Sequence, residues 1–113
     1  MHELSLCESI LDIIEEHART HGFTQVRTVR IAVGILSCVE PEALRFGFEV
    51  VTRGTVAEGA VLEIDRPPGE AWCWDCQALV PVADRISGCP TCGGFRLEFH
   101  AGDQMRVTEL DVD

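Results

Sequence analysis

Ala71-Trp72-Cys73-Trp74-Asp75-Cys76 and, twelve residues on, Cys89-Pro90-Thr91-Cys92-Gly93-Gly94 decide how this chain is read. The spacing is Cys-x2-Cys-x12-Cys-x2-Cys. Two residues between cysteines let a tight turn aim both sulfurs at one point, with backbone amides donating to them. Two such knuckles complete a tetrahedral site of four sulfurs that has no open position for a solvent ligand, so it is structural. Pro90, Gly93 and Gly94 supply the turn chemistry. The surrounding stretch has few aliphatic residues and no core of its own. Metal binding therefore supplies much of its folding free energy, on the order of 10 kcal/mol or more.

Zinc is the expected ion. The Cys-Pro-x-Cys-Gly knuckle of residues 89–93 also resembles rubredoxin, an iron electron carrier, and spacing alone does not separate the two metals. Rubredoxins carry nothing like the preceding residues, and those residues predict a separate fold. Cys7, Ile10, Leu11, Ile14 and Ala18 recur at helical spacing over 4–20, and His21-Gly22 is a stop. Val26 to Val33 alternates, with Val29, Ile31 and Val33 on one face of a strand. Pro41 suits the first turn of a second helix running to about Arg53, with Leu44, Phe48 and Val51 as its buried stripe. A second strand is expected at 60–66. Pro67-Pro68-Gly69 reads as a linker, and a third strand follows at 104–112 with a bulge between Val107 and Leu110.

The expected fold is α+β: two helices packed on a small three-stranded sheet, with an inserted four-cysteine module of zinc-ribbon or rubredoxin type. Residues 1–66 plus 103–113 form the α/β domain and 67–102 the metal module. Cys7 and Cys38 are expected as core thiols, and Trp72 and Trp74 as packing on the module.

At 113 residues, nine basic and nineteen acidic, the chain carries a net charge of −10. Four thiolates around a divalent ion would make it more negative still. Such a chain repels phosphate backbones, which excludes nucleic acid as a partner despite the finger-like spacing. Apolar runs are too short to span a membrane, and Glu3, Glu8 and Asp12 spoil a signal peptide. A cytoplasmic protein is expected, and cysteines in such a compartment favour metal over disulfides. With no nucleophile–base pair, phosphate loop or carboxylate pair, an enzyme is not expected.

Met1-His2-Glu3 is a second candidate site. The α-amine, the amide nitrogen of His2 and its imidazole can face one ion, a compact chelate that suits square-planar Ni(II) or Cu(II). Glu3 can add its amide or carboxylate. A lone histidine near a terminus is most often just a solvated side chain, which leaves a plain zinc-stabilised interaction module open. His17, His21 and His100 are weaker candidates for ligands.

Taken in order, Met1-His2-Glu3-Leu4-Ser5-Leu6, Gly34-Ile35-Leu36-Ser37-Cys38-Val39-Glu40-Pro41, Glu58-Gly59-Ala60-x-Leu62, the Ala71-to-Cys76 stretch and Cys89-Pro90-x-Cys92 resemble the HypA/HybF family of hydrogenase nickel incorporation proteins. The Trp72-to-Cys76 wording is closest to its HybF branch. The resemblance implies a nickel metallochaperone with structural zinc on Cys73, Cys76, Cys89 and Cys92. It places transient Ni(II) cargo on His2 and Glu3, with Met1 and Glu40 as accessory ligands. It further implies delivery to the large subunit of [NiFe]-hydrogenase together with the accessory GTPase HypB, by a monomer or weak homodimer.

Overall fold

The computed structural model describes residues 2–113, without the side chain of His2. Helix α1 spans His2–His21, strand β1 Val26–Val33, helix α2 Pro41–Val51, and strands β2 to β6 Val61–Asp65, Gly69–Cys73, Ala78–Val82, Leu97–Ala101 and Met105–Val112. They form two three-stranded sheets, ordered β2-β1-β6 and β4-β3-β5. Two compact units result, one of residues 1–31, 39–64 and 106–113, the other of 32–38 and 65–105.

In the first unit α1 buries Cys7, Ile10 and Ile14, the stripe its periodicity predicts, and α2 buries Leu44 and Phe48. Val51 is only half-buried, because α2 stops there instead of at Arg53. Thr52 ends the helix by returning its N–H and its hydroxyl to the Phe48 carbonyl. At the other end Glu40 caps the helix: its backbone is extended and its carboxylate accepts from Glu42 N, with Pro41 in the first turn. Burying one side chain such as Phe48 stabilises the fold by about 1.5–3 kcal/mol. The helices approach closely at Gly47, where an added β-carbon would lie 3.1 Å from Cys7 Sγ.

Central strand β1 buries Val29, Ile31 and Val33 as its alternation predicts. Hydrogen bonds from Asp113 N to Gln25 O and from Thr108 Oγ1 to Arg30 O set β6 antiparallel to it. On its other side, Val26 N donates to Val56 O and Ile35 N to Pro67 O, so the numbers rise together and β2 runs parallel. Helix α2 is the crossover that such a pairing requires. In β6 both Thr108 and Glu109 are exposed, a break in phase at the place where the sequence predicts a bulge.

The second sheet was not expected from the sequence. Its central strand β3 pairs antiparallel with β4, Ala71 opposite Val80, and with β5, Ala71 opposite Phe99 after an irregularity at Glu70. Gly69, expected in a linker, is its first residue, buried against Leu36 and Ala101. Leu36 joins Ala71, Val80, Val82, Cys73 and Cys89 in a small core. Three backbone segments crowd beside it. A β-carbon on Gly34 would overlap the Gly102 carbonyl, one on Gly69 would meet Leu36 Cγ at 2.7 Å, and one on Gly102 would meet Gly69 Cα at 2.5 Å.

Candidate metal centre

Strand β3 ends on Cys73, and the chain turns through Trp74–Gln77 into β4, so Cys73 lies opposite Ala78 on one side and Leu97 on the other. The two knuckles repeat one backbone design. Gln77 N donates to Cys73 O at 2.7 Å, and Gly93 N donates to Cys89 O at 2.8 Å. Both closing residues have positive φ, 54° at Gln77 and 73° at Gly93. Amides then point at sulfur: Cys76 N to Cys73 Sγ, Thr91 N to Cys89 Sγ and Gly94 N to Cys92 Sγ, each 3.4 Å.

The four sulfurs lie within 4.8 Å of one another, with Cys73 to Cys92 at 3.7 Å and Cys76 to Cys89 at 3.9 Å. A tetrahedral ion with metal–sulfur bonds of about 2.3 Å places its sulfurs about 3.8 Å apart. The two closest sulfur pairs already stand at that spacing, so the cage suits one ion of that size. As thiols the group is electrostatically uneven. Amides of Cys92 and Thr91 help hold the Cys89 thiol down at about 6, whereas hydrogen bonds with the Cys92 and Cys73 thiols help push Cys76 up to about 12. Binding a cation replaces the shared protons, so affinity falls as pH falls. Cys73 and Cys89 are buried, Cys76 is half-buried and Cys92 exposed.

Sequence reasoning missed the brace that joins the knuckles. The Arg96 guanidinium donates to the Asp75 carboxylate at 2.9 Å, and Trp74 N to Arg96 O at 3.0 Å. It also missed Leu36 as a packing residue of the metal unit. The signal was there in part, since Gly34-Ile35-Leu36 and Gly69 both belong to stretches that looked like mere connections. Trp72 and Trp74 meet edge to face at 6.0 Å, and Trp74 is half exposed.

The other expected site lies at the start of α1, which opens at His2, two residues earlier than its periodicity suggests. Met1 and the His2 side chain, both named as nickel ligands from the sequence, lie outside the described residues. Because the helix begins there, the amides of His2 and Glu3 are among the first four N–H groups, which have no intrahelical acceptor. The structure does bring Glu3 to Glu40: Glu3 Oε2 accepts from Glu40 N at 3.3 Å. Cys7 is a core thiol as expected. It donates to Leu44 O at 3.1 Å and is pushed up to about 11 by burial and by the nearby Glu3 and Glu8 carboxylates. Cys38 is not in the core: it is exposed, because Val39 and Leu36 take the inward positions of that connection. His100 pairs with Glu98 at 2.8 Å.

The model of the family described as HypA, hydrogenase/urease nickel incorporation metallochaperone, matches residues 1–112. The hydrogenase maturation factor HypA of Beijerinckia indica is 54% identical over 112 residues, 99% of both chains. That of Acidithiobacillus ferrooxidans is 52% identical over the full length of both. Among solved structures, the solution structure of a HypA protein aligns with a TM-score of 0.71 at 26% identity, covering 99% of this chain and 96% of that one. The Ni metallochaperone HypA of Helicobacter pylori shares the fold at a TM-score of 0.70 and 23% identity, covering 97% and 96%. With a four-cysteine cage in an α+β chain matched over essentially its whole length, this protein belongs to the HypA family of nickel incorporation metallochaperones for hydrogenase maturation.

Proposed function

We propose that this chain carries Ni(II) on His2 and Glu3, with Met1 and Glu40 as accessory ligands, and holds a structural Zn2+ on Cys73, Cys76, Cys89 and Cys92. It hands the nickel to the large subunit of [NiFe]-hydrogenase in the cytoplasm, with the GTPase HypB as partner. Residues 1–66 plus 103–113 serve the nickel and 67–102 the zinc.

The observation that carries the nickel assignment is the approach of Glu3 to Glu40 beside the opening turn of α1. A helix N-terminus carries partial positive charge and is by itself a poor place for a cation. The Glu3 carboxylate offsets that charge, and it reaches the backbone of Glu40, whose own carboxylate caps α2; an amide nitrogen that has no intrahelical acceptor can lose its proton to a metal without breaking the helix. Nickel ligands must shed protons, so release on acidification suits a carrier. The cysteine cage, closed to outside ligands, suits a resident ion and no chemistry.

The test is titration of untagged zinc-loaded protein with NiCl2, beside His2→Ala, with zinc measured on the same samples. A tight nickel equivalent in the wild type, lost in the variant with one zinc retained, is expected. Equal tight binding by both proteins, or by neither, overturns the assignment to His2. The protein should also be colourless as isolated; a red iron form would point to electron transfer instead.

A further inference from the structure

His17 and His21 stand four residues apart on α1, and their rings stack 5.7 Å apart with planes 11° from parallel. The same i, i+4 spacing on a helix places two imidazoles on one face in helical zinc sites. Both rings border a groove of about 360 Å³ against β6, whose walls include Phe23, Val107 and Leu110 and whose rim includes Glu109. Among the described residues, no side-chain hydrogen bond or ion pair ties up His17, His21 or Glu109. From this geometry we infer that His17 and His21 form a second site for a divalent transition ion, of the Ni(II), Cu(II) or Zn(II) class, with Glu109 supplying carboxylate charge across the groove.

Three features favour a cation there. His21 lies in the last turn of α1 and His17 one turn before it, near the end where unpaired carbonyls carry partial negative charge and attract cations. The chain as a whole is at −10, which raises the local concentration of cations. Imidazole is the ligand these ions share, whereas Mg2+ and Ca2+ prefer oxygen. The stacked rings are exposed, which leaves them room to turn until one nitrogen of each converges on an ion. Water completes the coordination, which makes this site weaker than the cysteine cage. It is also separate from the nickel site proposed above: fifteen residues of helix at 1.5 Å each put it about 22 Å from His2.

The experiment uses full-length, zinc-loaded protein in the His2→Ala background, titrated with NiCl2 by calorimetry. One nickel equivalent, weaker than that at the N-terminus, is expected to remain. Replacing His17 or His21 by Ala should weaken it at least about tenfold, since loss of even an outer-sphere partner costs a metal site 10–100-fold. Paramagnetic nickel should broaden the imidazole signals of both histidines and the amides of 107–110. Far-ultraviolet circular dichroism will show that these exposed replacements leave the helix intact. Absence of nickel binding in His2→Ala, or binding that survives His17→Ala/His21→Ala, overturns the proposal. If His2 itself proves not to be a ligand, the loss on replacing His17 and His21 is still read in the same titration.

Discussion

Gly47 is the residue on which the two helices close. Alanine there gains about 1 kcal/mol of helix propensity, but its β-carbon would sit 3.1 Å from the sulfur of Cys7, which has no exposed surface and is held to Leu44 O. Overpacking a fixed core commonly costs 1–3 kcal/mol, so Gly47→Ala should be destabilising by about 1 kcal/mol in urea unfolding. Cys7→Ala in the same chain should recover most of that loss, a coupling that a double-mutant cycle would read. A more stable Gly47→Ala protein would mean that the core gives way more easily than its burial implies. At this scale the sequence was legible wherever period decided burial, as at Ile10, Ile14, Leu44 and Phe48. It misled at Cys38, because neighbouring Val39 turns inward and a one-residue step along a connection reverses the direction of the side chain.

The knuckles are the element in which backbone geometry matters most. Gln77 and Gly93 hold equivalent positions at positive φ, yet only one is glycine. A left-handed conformation costs a side chain about 1–2 kcal/mol, offset in part by the greater freedom glycine loses on folding. Gln77→Gly should therefore tighten metal retention against a chelator, and Gly93→Ala should loosen it, each by about 1 kcal/mol or roughly fivefold. A β-carbon at Gly93 meets nothing within 4 Å, so strain alone would be measured there. Unchanged retention in both variants would show that the sulfurs, not the turns, set the geometry. The spacing of the cysteines made this element readable in advance, sulfur-directed amides included. The strands on either side were not, since Gly69–Cys73 and Leu97–Ala101 are short and their pairing depends on Leu36, remote in sequence.

On the scale of the whole molecule the two units rest on different kinds of stability. The second has a core of four aliphatic side chains and two of the metal-binding cysteines; the first buries several large aliphatic residues and Phe48 without a metal. Removing the cage's metal with a strong chelator should abolish amide protection across β3, β4 and β5 while α1 and β1 stay protected, as read by hydrogen exchange. Loss of protection everywhere at once would show one cooperative unit. Acid should produce the same order. Thiolate ligands take up protons in competition with the ion well above pH 4. Asp113, by contrast, is held below the ordinary carboxylate range by Thr24 and Gln25. Its contribution is present at every pH above its unfolded value of about 3.9 and is lost only as pH falls through the lower folded value.

The meeting of Gly34, Gly69 and Gly102 has a consequence for how such a chain can vary. Each glycine is there because another segment occupies the space its β-carbon would fill, so the three positions share a single vacancy of room. A substitution at one of them is not repaired by its neighbours in sequence, which share its own segment, but only by a simultaneous retreat of the segment facing it. Drift at this crossing is therefore collective. A library randomised at all three sites should return glycine together at all three, while the loop between Asp84 and Ser87 accepts changes one at a time.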